Sequence, residues 1–171
     1  MLDFDSIVLD YAPKQATAKA IVLNLSGHRL PDSTMKWLLE AGYKNVNTYS
    51  QPVSIDFDKD LWVQVEAIIK EMASKPGKDG VNNCFQHEAS YFIVLPATAT
   101  VACLLLQAIT RIVGQEPKIL FVTKDSLDTF NLKQIINLSA FNQKFRNFWR
   151  AVYVLENDES MLKDRIHANK A

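Results

Sequence analysis

Residues Ile21–Ser33 read IVLNLSGHRLPDS, and the order of residue types in this stretch decides the fold. Ile21–Leu25 is an apolar, β-branched run, as long as a strand that is covered on both faces. Ser26, Gly27, His28 and Arg29 then bring a hydroxyl, a conformationally free residue, an imidazole and a guanidinium together at the strand exit. Pro31 opens a helix, and Asp32 or Ser33 is the expected cap. Strand, polar loop and helix start make the first half of a βαβ unit.

The same alternation continues downstream. Met35, Leu38 and Leu39 share one face of a helix over 32–42 that Gly42 closes. Asn45–Ile55 reads as extended, with Pro52 breaking any helix. Leu61, Val65, Ile68, Ile69 and Met72 recur at helical spacing, and Asp58 or Asp60 suits the positive end of that helix. Ser74–Asn83, SKPGKDGVNN, is a flexible connection. YFIVLP (91–96) and PKILFVT (117–123) read as two more buried strands, flanking a long apolar helix over 98–114. Ser126–Trp149 reads as helix with Ser126 as cap, and RAVYVLE (150–156) as a strand or the end of that helix. The remaining residues are a polar tail.

Alternating strands and helices with short links predict an α/β, Rossmann-like parallel sheet with helices on both faces. The 171 residues suit a single domain. Residues 20–125 form its Rossmann-like core, 1–19 an N-terminal extension, and 126–171 a C-terminal helical extension with a polar tail.

Lysine plus arginine equals aspartate plus glutamate at 19 each. That balance argues against a dedicated binder of long nucleic acid, which shows a basic face, but leaves room for a small anion at one local site. Two cysteines are too few for a disulfide framework. Cys103 falls in the apolar helix and is expected to be a buried thiol. Cys84 and His87 lack the second pair that a structural zinc site needs, and HEASY ends in Tyr91 where a metalloprotease helix needs histidine. Neither metal nor cofactor is expected. The acidic N-terminus is unlike a secretory signal, and VACLLL (101–106) is far too short to span a bilayer. A reduced, cytoplasmic protein without a membrane partner is the expectation.

Ligands of such sheets sit beyond the carboxyl ends of the strands, where strand order reverses. Two loops fit that place. The first is Ser26–Arg29. The second is PATAT, from Pro96 to Thr100, where Thr98 and Thr100 offer hydroxyls while Ala97 and Ala99 leave room at a helix start. Two helix starts, two sets of hydroxyls and Arg29 suit a phosphate. Thr123 and Lys124 leave the third buried strand on the same edge, and Lys124 adds charge. Asp32 and Asp125 read as a cap and a solvated loop charge. Tyr49 and Tyr91 are aromatic surfaces for a base if exposed, and core residues otherwise.

Three motifs carry a resemblance: VLNLSGHRL, then QPVSIDFD, then YFIVLPATATVACLLLQAITRIVGQEPKILFV. In order and spacing they resemble the small CRISPR-associated accessory family that carries the Csx name and the number fifteen. The resemblance runs from Ile21 to Val122. It implies a CARF-like relative of the Rossmann fold that handles cyclic oligoadenylate second messengers of type III CRISPR defence, chiefly cyclic tetra-adenylate. By motif, Ser26 and His28 match that family's Ser-His pair, and Pro96, Ala97 and Thr98 its Pro-Gly-Leu turn. Gly27 is inserted between serine and histidine here, and Ala97 replaces the glycine.

A ring with four phosphates suits a two-fold dimer that presents the same loops twice. A homodimer is therefore expected, with a ligand-dependent higher oligomer as its extension. Apolar residues surround most of the helix over 98–113, which makes it the expected dimer surface. Three functions follow: a binder that sequesters the ring without cleavage, a metal-independent ring nuclease with His28 as acid or base, and a non-catalytic interaction protein. The candidate loops hold no clear second acid–base partner, which favours binding.

Overall fold

The structure is a computed structural model that describes residues 19–75, 84, 85 and 88–168, with backbone alone for 155–162 and 164–168. The expected N-terminal extension up to residue 18, most of the Ser74–Asn83 connection, His87 and residues 169–171 lie outside the described residues. The chain forms two compact units, one ending at Leu138 and one running from Ser139.

The first unit is built on a five-stranded sheet. Along the chain come β1 (Lys19–Asn24), α1 (Asp32–Glu40), β2 (Asn45–Ser50), α2 (Leu61–Ser74), β3 (Ser90–Val94), α3 (Ala99–Val113), β4 (Lys118–Lys124) and β5 (Phe130–Ile136). The strands lie in the order β2-β1-β3-β4-β5. The first four are parallel, and β5 returns antiparallel to β4. This is an α/β, Rossmann-like sheet.

β1 is the centre because both its faces are apolar. Ile21, Leu23 and Leu25 pack with Tyr91, Ile93 and the inner faces of α2 and α3. Ala20 and Val22 point the other way, with Phe92, Val94, Leu120, Ile135 and Leu38 of α1. Helices therefore cover both faces. Burying a large aliphatic side chain contributes roughly 1.5–3 kcal/mol, so this strand anchors the unit. The apolar girth of α3 is divided between the sheet and α2, whose Val65, Ile68 and Met72 meet Leu105 and Ile109 in one cluster.

Local signals set most element ends. Asp60 caps α2 by accepting from the Val63 N–H at 3.2 Å. Gly114 ends α3 in the left-handed region at φ 72°, its N–H donating to the Thr110 carbonyl. Four expectations are corrected. α1 is capped by neither Asp32 nor Ser33: Pro31 holds the cap position, without a side-chain bond. Cys103 is exposed, not buried. β4 is only partly covered, with Phe121 about half exposed.

The fourth correction is the largest. Residues 126–136 are not helix, and Ser126 caps nothing: they form a hairpin turn and β5. Asp125 staples that turn. Its carboxylate accepts from the Leu127 and Thr129 N–H groups at 2.8 and 3.0 Å and from Asn131 Nδ2 at 3.2 Å. These bonds hold the carboxyl below its usual range. The register slips between Phe121 and Val122, leaving Lys133 as the extra residue of a bulge.

The second unit is one helix, α4 (Leu138–Ala168). RAVYVLE lies inside it as helix, not strand, and the expected polar tail continues it to Ala168.

Candidate functional site

The chain leaves β1 for β2 on one side and later returns to place β3 on the other. Strand order reverses between β1 and β3, and crevices form beyond their carboxyl ends. A cavity of about 220 Å³ lies there, lined by Ser26, His28, Arg29, Leu30 and Pro31 from the first loop. Val94, Leu95 and Ala97 line it from the second loop, and Val122 and Phe130 from the β4–β5 hairpin.

Asn24 builds the first loop from beneath. It ends β1, is only 3% exposed, and a polar side chain there needs partners. Its Nδ2 donates to the His28 carbonyl at 2.6 Å. Its Oδ1 accepts from the Ser26 hydroxyl at 2.6 Å and from the Ser26 N–H at 3.2 Å. The Ser26 oxygen in turn accepts from the His28 N–H at 3.2 Å. Gly27 sits at the crest at φ 76°, with open space where a Cβ would be, so only its backbone conformation calls for glycine. The loop root is tied on both sides: Leu25 N–H donates to the Val94 carbonyl and Gln51 N–H to the Asn24 carbonyl, at 2.9 and 3.0 Å.

This network turns the serine hydroxyl inward and the next two side chains outward. The His28 ring stacks on Phe130, with centroids 4.7 Å apart and planes 27° from parallel. Lys124 Nζ stands 5.8 Å from the centre of the Phe130 ring and pairs with Asp128 at 3.2 Å. Arg29 reaches Asp32 at 3.3 Å, and both side chains are almost fully exposed. Exposed pairs of this kind contribute about 0–1 kcal/mol, so either cation is readily diverted to a ligand.

Both helices that start at the cavity lack a side-chain cap. Pro31 precedes α1 and Thr98 precedes α3, and neither side chain bonds the first-turn N–H groups. α2, by contrast, has its cap in Asp60. First-turn N–H groups without an internal partner carry partial positive charge and attract anions.

Of the residues singled out in the sequence, Ser26, His28, Arg29 and Ala97 line the cavity. Gly27, Pro96, Thr98, Ala99 and Thr100 lie in the same two loops or the α3 start without lining it, and Thr123 and Lys124 lie at the end of β4. Tyr91 is fully buried and donates to the Cys84 carbonyl at 2.8 Å, so it presents no free face. Tyr49 packs partly buried against the core. Sequence reasoning missed Asn24 and Phe130. Asn24 carried a signal, as an amide inside an otherwise apolar strand. Phe130 was hidden by the helical reading of its strand.

Among the described residues, no group of three His, Cys, Asp or Glu side chains is placed to hold a metal. Cys84 donates to the Met72 carbonyl at 3.5 Å, and burial pushes its thiol up to about 11. At pH 8 a maleimide therefore labels exposed Cys103 rapidly and Cys84 only on unfolding; equal rates in the folded protein would contradict this placement. No helix among the described residues is long and apolar enough to cross a membrane.

Fold and cavity together define an α/β, Rossmann-like protein with a crevice at the carboxyl edge of its sheet. The chain matches no family model, no curated protein and no solved structure.

Proposed function

We propose that this protein binds a cyclic oligoadenylate, cyclic tetra-adenylate first among them, and sequesters it uncleaved. In this reading it is a CARF-like damper of type III CRISPR signalling in the cytoplasm. One observation carries the reading: the loops that lead into two helix starts without side-chain caps, together with the His28–Phe130 stack, line one cavity at the strand-order reversal. The helix starts suit phosphate. His28, exposed and backed by Phe130, offers its outer ring face to a base, since stacking on an aromatic ring is worth about 1–3 kcal/mol per base.

Size sets the stoichiometry. Pockets for drug-sized ligands run roughly 300–1,000 Å³, so about 220 Å³ admits one nucleotide unit of a ring. A ring of four engages two copies of the site, presented by a homodimer. Each copy contributes His28, Arg29, Lys124 and two helix starts, which meets the ligand's charge without a basic protein. The cavity lining holds His28 but no carboxylate to serve as a second acid–base group, which favours binding over cleavage.

The test uses a tenfold molar excess of cyclic tetra-adenylate, incubated for hours and resolved by chromatography. Intact ring bound up to a fixed stoichiometry supports sequestration. Linear di-adenylate above one per site, lost in His28→Ala, would replace it with the ring nuclease. No binding of any ring size leaves the interaction protein. Within this reading, Arg29→Ala weakens binding by about 1.5–3 kcal/mol, the scale of a charge-assisted hydrogen bond, and leaves the melting temperature unchanged. Calorimetry showing equal affinity would remove Arg29 from the site.

A further inference from the structure

We infer that α4 is an antiparallel dimerisation helix whose partner is α4 of a second copy of this chain. The helix spans 31 residues, about 46 Å at 1.5 Å per residue. Its sequence holds a seven-residue repeat. Leu138, Phe145, Val152, Glu159 and Ile166 fall at the first core position, and Phe141, Phe148, Leu155 and Leu162 at the second. All but Glu159 are apolar. A repeat sustained over four heptads marks a seam for another helix. Along the half whose side chains are described, Phe145, Phe148 and the flanking Trp149 are exposed, the last two at 64% each, while Leu138, Phe141 and Val152 are partly buried.

Charge selects the occupant and its direction. The first half carries Lys144, Arg146 and Arg150 with no acid, and the next stretch carries Glu156, Asp158 and Glu159 with no base. A second copy running antiparallel sets each half against its complement. With the two-fold axis level with Arg150, Phe145 falls opposite position 155 and Phe148 opposite 152, while Lys144 and Asp158, both one residue before a first core position, face each other along the flank with an offset of about 3 Å. Glu159 then lies within one turn of Lys144. A parallel pair would instead bring two Glu159 carboxylates into one core layer. Sliding the antiparallel pair by one heptad toward the C-terminus would oppose Lys144 and Arg165. Of these arrangements, this one alone joins apolar layers around Val152 to opposite charges along the flank, with Glu159 level with Phe141 at each end. This surface differs from α3, most of whose apolar side chains pack on the sheet and α2, and it does not depend on what the cavity binds.

The test is sedimentation equilibrium of the full chain without ligand, on wild type, Lys144→Glu, Asp158→Lys and the double variant. Each single reversal opposes like charges twice per dimer and raises the dimer dissociation constant roughly tenfold or more. The double variant restores it. In a Cys103→Ser background, Ala151→Cys oxidises to a covalent dimer, because position 151 shares the flank of Lys144 and Asp158, next to the axis, and nears its own copy in an antiparallel pair but not in a parallel one. Circular dichroism reports whether each variant is folded. A wild-type monomer at tens of micromolar would overturn the proposal, as would a double variant no better than the singles or an Ala151→Cys chain that does not cross-link. Messenger binding by a monomer would leave the cavity reading standing while this one fell.

Discussion

Thr98→Asp makes the protein more stable and its cavity nearly useless for an anion. Thr98 holds the cap position of α3, yet its side chain bonds none of the first-turn N–H groups. An aspartate there accepts from those groups and meets the positive helix end, adding about 0.5–1 kcal/mol. In a protein of this size that raises the melting temperature by roughly 1–4 °C. The same carboxylate occupies the donors proposed for phosphate and places a like charge beside it. Two unit charges 4 Å apart repel by about 4 kcal/mol at a near-surface effective dielectric. Solvent reduces this, leaving a loss of about 2–3 kcal/mol, or roughly 30- to 150-fold in affinity. Scanning fluorimetry and titration calorimetry read the two effects separately. A stabilised variant with wild-type affinity for cyclic tetra-adenylate would dissociate the α3 start from the ligand.

Asn24→Ala acts oppositely and lowers both stability and binding. The side chain is buried and serves three backbone and hydroxyl groups of the first loop. Removing it leaves the His28 carbonyl and the Ser26 N–H short of partners, at about 1–3 kcal/mol for each buried group left unmade. Both groups are partly reached by water, so the expected loss is about 2–3 kcal/mol, read by urea unfolding. Binding falls as well, because His28 and Arg29 lose the anchor that aims them. Asn24→Asp sharpens the test. It keeps the acceptor for Ser26, loses the donor to His28, and buries a carboxyl. Burial raises that group's pKa in the folded state, so its cost is absent in acid and grows as pH climbs past the unfolded value of about 3.9. A variant equally stable at pH 4 and pH 8 would show that position 24 is not held as described.

The cavity was half legible in the sequence, and the reason is where its parts lie. Ser26, His28, Arg29 and Ala97 stand within a few residues of buried strands whose ends are plain from composition. Their convergence follows from parallel topology, since consecutive parallel strands deliver their exits to one edge. Phe130 comes from an antiparallel strand whose residues match helical spacing as well as alternation, with Lys133 breaking the period of two. Short apolar runs are ambiguous in this way. The open edge of β4 decided between them by offering a ladder of backbone hydrogen bonds.

Chain-local chemistry by itself determined the central strands, the helices α1 to α3 and the stops at Gly42 and Gly114. Each of these depends on near neighbours: the width of an apolar face, the handedness of a glycine, the absence of a proline. The tertiary structure alone decided which side chains the caps would use, that Cys103 would face outward, and that His28 would rest on Phe130. Those outcomes depend on groups brought together from distant parts of the chain, and no local pattern encodes a contact between residue 28 and residue 130 before the sheet has formed.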